Sequence, residues 1–127
     1  MTQVTYPAAE KVVVQVLRDA GLRAHVVPPR TVTAPYVRVA RVGGIESNRV
    51  TDSALVTLSA YGKDPVTASD VISTARAALR SARATRVGDT WVRWWTEAAG
   101  PALYPDPDTT LHRYQMTGQI HIATNTG

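Results

Sequence analysis

The chain has 127 residues, no cysteine, and a composition of 44% hydrophobic and 19% charged residues that is typical of one globular domain. The missing cysteines exclude disulfides, thiolate metal sites and cysteine nucleophiles, and without a basic-then-apolar leader or a long apolar run we expect neither export nor membrane association. The net charge of +4 arises from 14 basic residues interleaved with 10 acidic ones, which disfavours a DNA or RNA reader because such proteins cluster their cations.

The first half of the chain predicts a helix followed by three strands. Apolar side chains recur with helical spacing between residues 6 and 20. Gly21 is suited to end this helix, because it adopts positive φ without a Cβ penalty. The strands that follow are predicted at residues 22–27, 36–42 and 53–61, the last with its apolar side chains on the even positions.

The second of these strands has an imperfect alternation. Its pattern breaks near Ala40 and Arg41, which predicts a bulge or a sheet edge there. Gly43 and Gly44 then interrupt the run, and the polar residues 45–52 predict a loop that projects before the chain returns.

The second half predicts one helix and two further strands. Asp64 and Pro65 suit a helix start, because the carboxylate can accept hydrogen bonds from the first turn and proline needs no donor there. Helical spacing continues to Ala82. After a turn at Gly88 and Asp89, the strands are predicted at residues 91–98 and 113–122, separated by a proline- and aspartate-rich loop over residues 100–112.

Strands that follow one another without a helix between them favour hairpins. We therefore expect one α+β domain over residues 1–127, with a mainly antiparallel sheet of four to five strands packed against two helices. Trp91 and Trp95 are expected on one face of their strand and Trp94 on the other, because strand side chains alternate. At least one indole would then be exposed, as is common in protein interfaces, unless helices and loops cover both faces.

No catalytic, cofactor or metal motif is present in this pattern. The histidines lack a neighbouring nucleophile and are expected to be surface groups: His25, His112 and His121. Asp106 and Asp108 lack the remaining ligands of a calcium loop and are expected to build a rigid turn with the prolines beside them. A stripe of arginines on the second helix is expected to be solvated: Arg76, Arg80 and Arg83. We predict no enzyme activity, no cofactor and no bound metal.

Several short motifs follow one another in order along nearly the whole chain. They are VTYPAAE (residues 4–10), YVRVARVGG (36–44), VTD (50–52), ARAAL (75–79), GP (100–101), PDPDT (105–109) and RY (113–114). In this order and spacing the sequence resembles the tail terminator proteins of long-tailed bacteriophages, especially those that infect actinobacteria.

The resemblance implies a structural virion protein without catalysis, cofactor or metal. Such a protein would form a homohexameric ring on the head-proximal end of the phage tail. It would stop polymerisation of the major tail tube protein and offer a docking surface to the head–tail connector or head-completion protein. The implied location is the virion, with the host cytoplasm as the site of assembly. Genomic DNA would pass through the pore without specific binding, and no membrane would be involved.

The residues expected at protein interfaces are Arg41, Gly43, Gly44, Arg49, Trp94, Asp106, Asp108 and Arg113. By the resemblance, Gly43, Gly44 and Arg49 belong to a loop that reaches a neighbouring subunit or the tube protein. Asp106, Asp108 and Arg113 would help to define a subunit boundary. Plain turn construction is the alternative explanation for these residues.

Two other functions are alternatives. One is another head–tail joining component or a tail-tube-like subunit, although the short loop expected after Gly44 favours a terminator over a tube protein with long hairpins. The other is a basic DNA-binding module, whose phosphate contacts would weaken steeply with salt.

Overall fold

A computed structural model describes residues 4–5, 8–48 and 50–126, with the backbone alone for residues 4–5, 45–48 and 125–126. This part of the chain is an α+β fold. Its elements, in chain order, are β1 (Val4–Thr5), α1 (Ala9–Asp19), β2 (Ala24–His25), β3 (Tyr36–Asn48), β4 (Thr51–Gly62), α2 (Pro65–Ser81), β5 (Thr85–Val87), β6 (Thr90–Leu103), β7 (His112–Ala123) and β8 (Asn125–Thr126).

The main sheet has six strands in the order β2-β3-β4-β7-β6-β5, and β1 pairs with β8 in a separate two-stranded sheet. The β2–β3 pair is parallel and the other pairs of the main sheet are antiparallel. The expected α+β class is therefore correct, but the sheet is larger than the four to five antiparallel strands predicted. The two outermost strands have only two and three residues, which is too short for alternation to mark them.

The first helix begins at Ala9, and residues 6 and 7, where the sequence predicted its start, lie outside the described part of the chain. Its end matches the prediction. Gly21, with φ of 88°, donates its N–H to the Arg18 carbonyl at 2.9 Å, and Leu22 donates to the Leu17 carbonyl at 3.0 Å. This pair of bonds satisfies carbonyls that the helix itself leaves without partners.

The second helix begins as predicted. The Asp64 carboxylate accepts a hydrogen bond from the Thr67 backbone N–H at 2.8 Å, and Pro65 occupies the first turn. That hydrogen bond lowers the pKa of Asp64. Neither helix of the described chain has the length and apolar character needed to cross a membrane.

Both helices pack on one face of the sheet. The even positions of β4 face them and are fully buried, as predicted: Ala54, Val56, Leu58 and Ala60. Ile120 and Ile122 of β7 join the same core with the apolar stripes of the two helices. Within the described residues, no helix covers the opposite face, which we call the outer face.

The segment expected to be a projecting loop is instead strand. β3 continues to Asn48 and β4 starts at Thr51, so Ile45, Glu46 and Asn48 pair with Ser53, Asp52 and Thr51, with a register shift between Glu46 and Asn48. The predicted bulge is present as a register shift between Arg41 and Gly43. Beyond its short pairing with β2, β3 lies at the sheet edge, where polar side chains are tolerated.

The hairpin end formed by β3 and β4 does not project from the sheet. The Val50 carbonyl accepts a hydrogen bond from the Thr124 N–H at 3.0 Å, which ties the hairpin to the end of β7. Because this segment is hairpin and not a short loop, loop length no longer separates a terminator from a tube-like subunit.

The aromatic strand is also longer than predicted. β6 continues through Gly100 and Pro101 to Leu103, with register shifts between Val92 and Trp94 and two more beyond Glu97. The expected turn at residues 88–89 joins it to β5, a strand that the sequence did not predict. The loop before β7 is therefore shorter than expected.

Candidate protein interface

The three tryptophans are distributed by a bulge in β6. Val92 lies opposite Ile122 and Trp94 opposite His121, so Arg93 is an extra residue and the alternation slips by one. Trp95 consequently faces the helices and is 8% exposed, whereas Trp91 and Trp94, at 51% and 42%, lie on the outer face. The expectation that Trp91 and Trp95 share a face was wrong, because it assumed an unbroken alternation.

The exposed indole of Trp94 rests on a hydrogen-bonded histidine. Its ring stacks on the His121 imidazole with centroids 4.6 Å apart. His121 Nδ1 lies 2.7 Å from Ser53 Oγ, and its Nε2 lies 3.0 Å from Thr96 Oγ1. Burial lowers the pKa of His121, which favours the neutral imidazole. Trp94 is therefore held in one orientation from beneath while its other surface is open.

Arginines surround the two exposed indoles. The Arg86 guanidinium lies 5.9 Å from the centre of the Trp91 ring. Two adjoining concavities, of about 390 and 600 Å³, share Arg83 and Trp94 in their linings. We call this surface the tryptophan–arginine groove and define it by Arg83, Arg86, Trp91, Arg93 and Trp94.

Arg93 ties the groove to the hairpin end. Its Nη2 donates to the Val50 carbonyl at 3.2 Å. Its Nε is buried and has no hydrogen-bond partner among the described residues. A buried donor without a partner costs roughly 1–3 kcal/mol of free energy.

The arginine stripe of α2 is not uniformly solvated. Glu97 on β6 accepts hydrogen bonds from Arg76, with Nη2 to Oε2 at 2.6 Å, and forms an ion pair with Arg80 at 3.3 Å. The hydrogen bonds from Arg76 contribute most to lowering the pKa of Glu97. Arg83, one turn further on, is exposed and has no carboxylate partner in the described chain, so its charge is available at the groove.

The loop at the other end of β6 is held by one side chain. Arg113 donates from Nε to the Tyr104 carbonyl at 2.9 Å and from Nη2 to the Pro105 carbonyl at 3.3 Å. Its Nη1 lies 3.5 Å from Asp106 Oδ2, and its guanidinium lies 5.4 Å from the Tyr104 ring centre. We call residues 104–111 the proline–aspartate loop.

The two aspartates of this loop differ in their surroundings. Asp106 accepts hydrogen bonds from the Asp108 backbone N–H at 2.9 Å and from the Tyr61 hydroxyl at 3.1 Å. These bonds, that from Asp108 most of all, lower the pKa of Asp106 together with the Arg113 charge. The Asp108 carboxylate is exposed and has no partner among the residues described. Asp106 and Arg113 therefore hold the conformation of the loop, and the Asp108 carboxylate is exposed on its surface.

Arg41 lies on the helix face of the sheet. It holds the Asp52 carboxylate in a two-pronged ion pair, with Nη1 to Oδ2 at 3.0 Å and Nη2 to Oδ1 at 3.1 Å. The Asp52 side chain is only 5% exposed. The backbone N–H of Arg41 also donates to Glu10 Oε2 of α1 at 3.0 Å. These contacts connect β3 to β4 and to α1 at the bulge.

The expected interface residues thus fall into separate groups. Arg41 Nε donates to the Gly43 carbonyl at 3.1 Å, and Gly43 and Gly44 are exposed on β3. The loop residues Asp106, Asp108 and Arg113 form a second group, and Trp94 belongs to the groove. Arg49 lies outside the described residues.

Sequence reasoning assigned only Trp94 of the tryptophan–arginine groove to an interface and missed its other four members: Arg83, Arg86, Trp91 and Arg93. It also expected His121 to be a surface group, whereas this side chain is only 8% exposed beneath Trp94. Arg83 belongs to the helical stripe that the sequence predicted. Its lack of a carboxylate partner could not be predicted, because Glu97, which pairs with Arg76 and Arg80, lies on a strand that is distant in the sequence. The bulge at Arg93, which exposes Trp91 beside Trp94, has no sequence signature of its own.

The Ser53–His121 pair is a structural contact rather than a catalytic one. Ser53 is 2% exposed and Trp94 covers the imidazole, so the hydroxyl has no approach for a substrate. No group of three or more metal-ligating side chains is found among the described residues. The groove and the proline–aspartate loop lie at the two ends of β6.

Residues 5–127 match the family model described as phage tail termination protein, and the chain belongs to this family. The family is one of structural proteins and not of enzymes, which confirms that prediction. A solved chain from the virion of a native gene transfer agent particle is similar in fold, with a TM-score of 0.60 and 13% identity over 91% of this chain and 87% of that one. No curated protein matches the sequence.

Proposed function

We propose that this protein is the tail terminator of a long-tailed phage, which caps the head-proximal end of the tail tube as a homohexameric ring. In this role it stops polymerisation of the major tail tube protein and then receives the head–tail connector or head-completion protein. The observation that carries the proposal is the family match over residues 5–127. Assembly would take place in the host cytoplasm, and the mature location would be the head-proximal end of the tail.

The distribution of contact surfaces supports a ring. Ring closure needs a heterologous interface, in which one patch meets a different patch on the next copy. This chain carries an aromatic, cationic groove near the start of β6 and an exposed, acidic loop after its end. The two faces of such a ring are unlike, so each can meet a different partner.

The hairpin end formed by β3 and β4 is the third surface in this proposal. β3 stays paired with β4 beyond Gly43 and Gly44, up to Asn48, and the chain then turns back into β4. Arg49, next in the sequence, lies outside the described residues. We assign this turn to contacts with a neighbouring subunit or with the tube protein. Arg41 supports it from within through its ion pair with Asp52.

The charges support passage of DNA through the pore without specific binding. The arginines paired with carboxylates in the described chain are Arg41, Arg76, Arg80 and Arg113. Pairing reduces the cations that could release counterions from phosphates. Binding of duplex DNA by the purified protein, steeply weakened by salt, would instead favour the DNA-binding alternative.

Electron microscopy of a phage lacking this gene product tests the proposed function. We expect tails of uncontrolled length that are not joined to filled heads, and recovery of normal particles when the wild-type protein is supplied in trans. Tails of normal length that fail to join heads would indicate a different neck component. A lack of tails would indicate a tube-like subunit, and normal particles would contradict any tail role.

A further inference from the structure

We propose that the proline–aspartate loop of one copy docks into the tryptophan–arginine groove of the next copy. This inference rests on the proposed ring and names the contact that would close it. The occupant of the groove is a second copy of this chain, with Asp108 facing Arg83 and the proline rings packed against Trp91 and Trp94.

The chemistry of the two surfaces is complementary. Arg83 is exposed without a carboxylate partner in the described chain, and Asp108 is an exposed carboxylate that likewise has none there. Flat aromatic side chains are the surfaces on which proline-rich segments commonly dock. Pro105 and Pro107 flank Asp106, so the loop offers apolar rings that can pack on the indoles. It also offers negative charge, which the cationic groove lacks.

The positions of the two surfaces require that they meet between copies. Trp94 and Leu103 of β6 pair with His121 and Tyr114, which are seven residues apart on the regular strand β7, and at about 3.3 Å per residue this is roughly 23 Å. The loop therefore cannot reach the groove of its own chain. A contact between two different patches propagates in one direction and closes into a ring when the rotation per copy permits.

Both surfaces are fixed before they meet. Arg113 holds the backbone of the loop through the Tyr104 and Pro105 carbonyls, and His121 supports the Trp94 ring from beneath. Groups ordered in the free subunit lose little conformational freedom on association. The exposed Tyr104, at 58%, extends the apolar area beside the prolines.

Charge reversal provides the test, with the size of the purified protein measured by analytical ultracentrifugation. Arg83→Glu and Asp108→Lys should each weaken self-association by about a hundredfold, because like charges would meet at the contact. Arg30→Glu and Asp70→Lys are matched controls on exposed residues away from both surfaces and should assemble as the wild type does. Thermal unfolding checks that every variant is folded.

Recombination of the variants distinguishes a direct contact from a general loss of assembly. An equimolar mixture of Arg83→Glu and Asp108→Lys chains should assemble, because each copy then finds a complementary partner. The double variant carrying both changes should also assemble. Assembly of either single variant at wild-type strength, failure of the mixture, or a wild-type chain that stays monomeric at every concentration would overturn the inference.

The two proposals fail separately. If the phage lacking the protein loses control of tail length while Asp108→Lys still assembles normally, the ring closes through another contact and only this inference is lost. If the phage forms normal particles, the proposed function is lost, whatever the charge-reversal variants show.

Discussion

The indole of Trp95 occupies the space beside Gly118 that a side chain at position 118 would need. A Cβ at this glycine would lie 2.6 Å from Trp95 Cη2 and from the Thr96 carbonyl oxygen. The neighbouring bulge at Arg93 turns Trp95 toward the helices, and Gly118 on β7 gives it room there. The bulge also places Trp94 on the same outer face as Trp91.

Gly118→Ala should therefore destabilise the fold. The added methyl group would force the Trp95 ring or the β6 backbone to move, at a cost of about 3 kcal/mol in the free energy of unfolding. Urea unfolding followed by tryptophan fluorescence measures this cost. Gly100→Ala is the matched control, because no atom lies within 4 Å of a Cβ there, and it should be nearly neutral. Equal effects of the two changes would contradict the packing argument.

A second glycine is required on β3. Gly44 has φ of 109°, and a Cβ would lie 2.6 Å from the Leu55 backbone nitrogen and 2.8 Å from the Ala54 Cα. Because both the backbone angle and the space exclude a side chain, Gly44→Ala should cost about 2–4 kcal/mol of unfolding free energy. Thermal unfolding of this variant, compared with Gly100→Ala, checks the value. A neutral Gly44→Ala would mean that the hairpin does not pair as described.

Replacing one partner of the Arg41–Asp52 ion pair should destabilise the fold more than replacing both. Arg41→Met leaves the Asp52 carboxylate buried without its partner and should cost about 3 kcal/mol. Arg41→Met with Asp52→Leu should cost clearly less, because no uncompensated charge remains. Chemical unfolding of both variants gives the comparison. A double variant that is less stable than Arg41→Met would contradict this argument, because it would show that the Asp52 carboxylate stabilises the fold without its arginine.

His121 should make stability depend on pH. Burial holds its pKa in the folded protein below the ordinary value of about 6.5 that it regains on unfolding. The contribution of His121 to the free energy of unfolding is therefore fully present above about pH 6.5. It is lost as the pH falls below that value, because the unfolded chain binds the proton more readily than the folded one. Thermal unfolding between about pH 7 and pH 5 should record this fall.

His121→Gln separates this effect from that of other groups. The variant should be less stable at neutral pH, because the contacts to Ser53 and Thr96 change, but its stability should fall less between about pH 6.5 and pH 5. His112→Gln, on an exposed side chain, should keep the wild-type dependence. An unchanged slope in His121→Gln would assign the pH dependence to another residue.

Arg113 should control the order of the proline–aspartate loop rather than the stability of the whole domain. Arg113→Ala removes the donors to the Tyr104 and Pro105 carbonyls, so hydrogen exchange in residues 104–111 should accelerate by about tenfold. Exchange at the α2 amides should stay unchanged. Arg30→Ala is the control, and equal acceleration along the entire chain would show that Arg113 acts on the global fold.

The parts of the fold that the sequence predicted well depend on local chemistry. Asp64 and Gly21 mark helix ends because their effects operate within a few residues. The buried even positions of β4 follow from alternation, since this strand is central and its helix face is covered. The loop group of Asp106, Asp108 and Arg113 could be foreseen as a cluster because its members are close in the chain.

The remaining features depend on contacts between distant segments. Glu97 forms ion pairs with Arg76 and Arg80, and not with Arg83, because β6 lies beside this part of α2. The extension of β3 past Gly44 depends on pairing with β4, which overrides the loop preference of its polar residues. Trp94 was expected at an interface, but Trp91 was expected on the opposite face with Trp95, because a single bulge that reverses every later position of a strand could not be foreseen.

All the register shifts of the main sheet fall on β3 and β6, and none interrupts the pairing of β4 with β7. These two strands are long, and their short neighbours β2 and β5 cover only a few of their residues. Straight, uncovered edges of this kind recruit strands from other molecules and lead to fibrous aggregation, whereas irregular edges resist it. The register shifts in β3 and β6 therefore disfavour backbone pairing between newly synthesised chains, and contacts between molecules are left to the side chains.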